Sequence, residues 1–252
     1  VEITSATDIQ NNFLNAGDNV SVTVTFRESV IVDNASGTPT LTIVVGSDNR
    51  TATYAYQNTN TIDNDSMVFK YTIHGPDNDT DPDGISIDNN SIALNGATIR
   101  DASGNYANIT HDNATDNSNY KVDTTAPILV DNVSIDNSTS PDQWLDEDHV
   151  ISLTATFNDN VTVTGSPRLY IKVVTTSRFA TYHPSGNGTK VQVFKYTILG
   201  ADPRDTSGIS IDVNGLTLMN SGDTIKDLAG NEAIIIHGCG LSPCDNPLYK
   251  VK

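Results

Sequence analysis

The chain has 252 residues and a formal net charge of −17, from 14 Lys and Arg against 31 Asp and Glu. That balance argues against nucleic acid as a partner, because binding phosphates needs a basic face, and equally against an anionic membrane surface. Apolar residues make up 37% of the chain, and no run approaches the roughly 20 needed to span a bilayer, so this segment inserts no helix into a membrane.

The first apolar pattern is Val20-x-Val22-x-Val24-x-Phe26, a period-two alternation that predicts a strand with one buried face. Val30-x-Val32 follows, then Gly37-x-Pro39-x-Leu41-x-Ile43-x-Val45, Arg50-x-Ala52-Thr53-Tyr54 and the run Met67–Ile73. After an acidic stretch come Gly84-Ile85-Ser86-Ile87-Asp88, Thr98-Ile99-Arg100-Asp101 leading to Gly104-Asn105, and Tyr120-Lys121-Val122. Gly, Asn, Asp and Pro clusters punctuate these runs, and no helical stretch of ten residues is evident. About seven short strands with regular turns predict an antiparallel β-sandwich.

From Thr156-Phe157 the pattern is written again. Val161-x-Val163, Gly165-x-Pro167-x-Leu169-x-Ile171-x-Val173, Arg178-x-Ala180-Thr181-Tyr182, Gln192–Ile198, Gly208–Asp212, Thr224–Asp227 with Gly230-Asn231, and Tyr249-Lys250-Val251 repeat the first copy in order. The offset drifts only in polar stretches, as expected when insertions are confined to loops. The linker Asp123-Thr124-Thr125-Ala126-Pro127 marks the boundary, giving two tandem domains, 1–126 and 127–252. In this register Val1 aligns with Val133 and Lys252 with Asp123, which suggests a segment of a longer array. Tandem copies usually span, display or assemble, since a catalytic site is normally built once.

Only Glu2, Glu28, Glu147 and Glu232 are glutamates; every other acid is Asp, a turn residue and a calcium ligand. Asp77, Asp79, Asp81 and Asp83 alternate up to Gly84 in the manner of a calcium loop. The match to an EF-hand fails, because the twelfth position from Asp79 is Asn90. A second candidate calcium set lies at the module junction: Asp101, Asn105, Asp123 and Asp131, with Asp227 and Asn231 as the counterparts one module on. The alternative is that Asp101 and Asn105 hydrogen-bond only their own turn. Cys239 and Cys244 suit a local disulfide that would staple a loop tip in an oxidising, extracellular setting. Twelve Asn-x-Ser/Thr triplets point the same way, beginning at Asn19, Asn34, Asn49, Asn64, Asn78, Asn89, Asn108, Asn113, Asn132, Asn137, Asn160 and Asn187. They are possible N-glycosylation acceptors, although Asn enrichment in turns alone would also place them there.

His74, His111, His149, His183 and His237 form no shared motif in sequence, and no nucleophile elbow or phosphate-cradling loop is present. Lys70 and Lys195 recur within strands, the position an internal Lys–Asn isopeptide would use, though a strand-face Lys is ordinary. Trp144 is the only Trp, which disfavours a sugar-binding platform.

Taken together, Asp18-Asn19-Val20 through Phe26, Gly37-Thr38-Pro39-x-Leu41, Phe69-x-Tyr71-Thr72-Ile73, Leu94–Asn105 and the Val122–Pro127 linker resemble the bacterial Ig-like repeats of large surface proteins. The resemblance implies two tandem Ig-like antiparallel β-sandwich domains in an adhesin, biofilm or archaeal surface-layer protein, often stiffened by calcium. The expected function is a non-enzymatic extracellular spacer whose partners are neighbouring repeats of the same protein. The alternatives are a self-assembling filament or surface-layer subunit that partners copies of itself, and, less favoured, a carbohydrate-binding module.

Overall fold

A computed structural model describes residues 1–57, 64–75, 80–130, 133–136, 144–238 and 245–252. The chain is all-β, with 51% of the described residues in strand conformation; they hold no α-helix and one 3-10 turn, Pro184–Gly186. Two compact units divide it, Val1–Thr125 and Ala126–Lys252.

Unit 1 opens with β1 (Glu2–Ala6), β2 (Phe13–Leu14), β3 (Asn19–Thr25) and β4 (Ile31–Asp33). Next come β5 (Thr40–Val45), β6 (Asp48–Gln57), β7 (Ser66–Thr72) and β8 (Thr80–Asp81), followed by β9 (Ile92–Ala93), β10 (Thr98–Arg100) and β11 (Lys121–Asp123). The main sheet runs β1-β3-β7-β6-β5-β9, with every neighbour antiparallel. A smaller sheet, β2-β11-β8, sets β11 parallel to β2, and β4 pairs with β10. The alternation read in the sequence reappears as burial: Val20, Val22, Leu41 and Ile43 are fully buried while their neighbours face outward. Each such side chain contributes about 1.5–3 kcal/mol when taken out of water. Phe69 of β7, Val122 of β11 and Ile85 of the segment after β8 share the same core.

Unit 2 repeats the plan with β12 (Ser134–Asp136), β13 (Trp144–Leu145), β14 (Val150–Thr164), β15 (Arg168–Val173) and β16 (Thr176–His183). After the 3-10 turn come β17 (Thr189–Thr197), β18 (Ser210–Thr217), β19 (Thr224–Lys226) and β20 (Lys250–Val251). The sheet order is β12-β14-β17-β16-β15-β18, with β19 on the far half of β14 and β20 parallel to β13. One difference stands out. β14 is continuous over 15 residues and shifts register between Thr156 and Val161, whereas unit 1 divides the same stretch into β3 and β4.

Both units cap the carbonyl at this break with a glutamine, but from different strands. The Gln57 amide of β6 donates to Val30 O, and the buried Gln192 amide of β17 reaches Val161 O, Gly186 O and Thr189 O. Lys70 is exposed and sits over the Tyr56 ring at 5.6 Å, and Lys195 is half-buried.

Candidate functional site

The acidic loop of unit 1 centres on Asp81, which is 5% exposed. One carboxylate oxygen accepts the Gly46 N–H at 2.9 Å and the other the Gly84 N–H at 2.8 Å. Asp81 therefore ties the β5–β6 hairpin to the start of the Ile85–Ile87 segment. Both glycines are required. Gly46 has φ +59° and Gly84 φ +107°, and an added Cβ would lie 2.5 Å from Thr80 O and 2.0 Å from Asn117 O respectively.

Asp205 does the same work in unit 2. Its oxygens accept the N–H groups of Val174 at 2.9 Å, Gly208 at 2.9 Å and Ser207 at 3.0 Å, plus the Ser207 hydroxyl at 2.8 Å. Burial raises the cost of its charge, yet these donors outweigh it and hold the carboxyl below the ordinary range. The position matching Gly46 is Val174, a β-branched residue at φ +58°. Asp83 is exposed, while Asp77 and Asp79 lie outside the described residues.

Asp101 and Asn105 close their own turn. Asp101 Oδ1 accepts the N–H groups of Ser103 and Asn105 at 2.9 and 2.8 Å, and Asn105 Nδ2 donates to Oδ2 at 2.8 Å. The Asn105 side chain and these amides hold the Asp101 carboxyl low. Asp227 and Asn231 repeat the arrangement at 2.9 and 2.9 Å. Asp123 accepts the Thr125 N–H at 2.9 Å, and Asp131 lies outside the described residues. Calcium wants several oxygens around one point; both carboxylate oxygens of Asp81 and of Asp101 accept nearby N–H groups, and one oxygen of Asp123 does. Among the described residues no three His, Cys, Asp or Glu side chains gather to hold a metal. Cys239 and Cys244 are outside the described residues.

The sequence reading did not foresee how four side chains are used. His111 and His237 occupy one position of the repeat. The Nε2 atoms accept the N–H of Ser91 at 3.0 Å and of Leu216 at 3.1 Å, and Nδ1 meets the carbonyls of Asp112 and Gly238. Each imidazole is thus placed as the Nδ1–H tautomer, a bracket between two loops. The signal was available, since both histidines lie six residues beyond Asn105 and Asn231. Asp202, with no side-chain exposure, accepts from Arg178 Nε and Tyr196 Oη, both at 2.6 Å. Burial and that carboxylate keep the Tyr196 phenol protonated far above its usual range. Asp223 binds the Ser166, Met219 and Asn220 amides at 2.9–3.0 Å, and these bonds hold its carboxyl low.

Of the Asn-x-Ser/Thr triplets, Asn34, Asn49, Asn64, Asn89, Asn108, Asn113, Asn160 and Asn187 are exposed and Asn19 is half-buried. Asn78, Asn132 and Asn137 lie outside the described residues. Asn187 is partly engaged, its Oδ1 accepting the Val163 N–H at 2.7 Å. Trp144 is half-buried, with Arg204 and Lys250 over its ring at 5.5 and 5.7 Å. A cleft of about 490 Å³ in unit 1 lies between Thr25–Val30 and Tyr106–Asn108. No protein-family model matches the chain, and no curated protein matches it either.

Proposed function

We propose that this chain is a non-enzymatic extracellular spacer: two Ig-like β-sandwich modules in tandem, of the kind repeated in large cell-surface adhesins. The observation that carries this reading is how the duplicated polar side chains are used. Asp81 and Asp205, Asp101 and Asp227, and His111 and His237 are each spent on the backbone of their own module. A repeated unit whose polar groups brace its own turns is suited to load and display. The sandwich assignment is supported by the one-sided burial of β3, β5 and β15 around one core per unit. The extracellular setting is supported by the exposed Asn-x-Ser/Thr triplets and by the Asp- and Asn-rich surface.

Self-assembly into a filament or lattice is the second reading, favoured by exposed apolar side chains in unit 2, Ile234 at 49% and Ile236 at 73%. Sedimentation of the full chain in calcium and in chelator separates the two. A spacer stays monomeric in both, whereas polymerisation in calcium would overturn it. Calcium stiffening rests on the sequence of Asp77–Asp83 and of the junction. It predicts a melting temperature that rises with Ca²⁺ and falls with EDTA; a midpoint indifferent to both removes calcium from the reading.

A further inference from the structure

The two units treat one seat differently. In unit 2 an extended segment, Pro127–Val130, lies against Thr156–Asn158 and Ile234. The Asn158 N–H donates to Ile128 O at 2.9 Å, the Val130 N–H to Thr156 O at 3.0 Å and the Ile234 N–H to Pro127 O at 2.7 Å. The Asn158 side chain accepts the Ile128 N–H at 2.8 Å. Pro127 is buried and Leu129 packs on the core, while Ile128 and Val130 point outward. Beneath this segment Phe157 is 1% exposed.

By the repeat register the same seat in unit 1 is formed by Thr25-Phe26-Arg27 and Asn108, and these residues line the 490 Å³ cleft. Phe26, the counterpart of Phe157, is only partly buried. Among the described residues no hydrogen-bond acceptor is found for the backbone N–H of Arg27 or of Asn108, the counterparts of Asn158 and Ile234. β1 pairs with β3 as β12 pairs with β14, so an occupant built like Pro127–Val130 would enter immediately ahead of Val1.

We propose that the unit 1 cleft is an acceptor seat for an extended segment of the Ala-Pro-Ile-Leu-Val pattern when one is presented ahead of Val1. The Pro and Leu positions of that segment cover Phe26 and Ala107. Its backbone carbonyls accept the Arg27 and Asn108 amides, adding a short strand to the module edge. Each module of an array is then completed by the linker that precedes it. This inference rests on the tandem-array reading above.

The test grafts a copy of the sequence Asp123–Asn132 ahead of Val1 in the full chain and follows amide hydrogen exchange residue by residue by NMR. The Arg27 and Asn108 amides are expected to slow by roughly tenfold or more, whereas a graft carrying Asp in place of its Leu leaves them unchanged. In the same molecule Leu129→Asp is expected to speed exchange at Asn158 and Ile234, while Val22 and Phe69 confirm that unit 1 stays folded. Unchanged Arg27 and Asn108 rates in the first graft, or equal slowing by both grafts, overturn the proposal. So does slowing in the ungrafted chain on concentration alone, which would make a second copy the occupant. Sedimentation reads the spacer function independently, so either idea can fail without the other.

Discussion

Asp205 shows how a single residue can matter to a unit of this size without touching a ligand. Its two oxygens face backbone donors on both sides, from Val174 and from Ser207 and Gly208. An amide in its place must turn an NH₂ group toward one of them. Asp205→Asn is therefore expected to destabilise unit 2 by about 2 kcal/mol at neutral pH, measured by urea unfolding. The pH dependence has a definite sign. The folded carboxyl titrates below its unfolded value, so its stabilisation is complete above about pH 4 and is lost as pH falls through the lower folded value. Wild type should lose stability steeply on that acid limb, and the variant less so. Asp18 works in the opposite sense, because burial raises its carboxyl; stability from that group falls as pH rises. Its place is taken in unit 2 by His149. The Asn15 amide bonds Asp18 in one copy and the Asp146 amide bonds His149 in the other, so the turn is kept while its chemistry changes.

Among the elements, the β5–β6 and β15–β16 hairpins are the same construction with different backbone strain. Gly46 adopts φ +59° freely, whereas Val174 holds φ +58° with a branched side chain. Left-handed backbone costs a side-chain-bearing residue roughly 1–2 kcal/mol, and part of any relief by glycine is offset by its freedom in the unfolded chain. Val174 is 45% exposed, so little burial is lost. Val174→Gly should then leave unit 2 unchanged or more stable by about 0.5 kcal/mol, seen as a small rise in its melting temperature. The converse, Gly46→Val, drives a Cβ to 2.5 Å from Thr80 O and should cost about 2 kcal/mol or more. Equal penalties for the two substitutions would contradict this account of the turn.

For the whole molecule the dominant quantity is charge. With a formal −17 and most acids in loops, self-repulsion disfavours the compact state when screening is weak. The Debye length falls from about 30 Å at 0.01 M salt to about 8 Å at physiological ionic strength. The melting temperature should rise across that range with NaCl, and KCl should act alike, since screening is indifferent to the cation. A rise confined to divalent salts would instead indicate site binding. The all-β character and the strand positions were legible because period two needs only a local pattern: Val20, Val22, Leu41, Ile43, Leu169 and Ile171 are buried as their alternation predicts. The turn chemistry of Asp101 and Asn105 was legible too, as one of two readings, because it closes within five residues.

What the sequence by itself determined is therefore whatever is written at short range and written twice: the strands, the turns and the duplication. Only the tertiary structure decided what depends on residues far apart in the chain. It alone brought Asp81 to Gly46, Asp205 to Val174, Tyr196 and Arg178 to Asp202, and His237 to Leu216. A carboxylate that binds a backbone amide and one that awaits a cation have the same letter. Their difference lies in which distant N–H groups folding delivers to them.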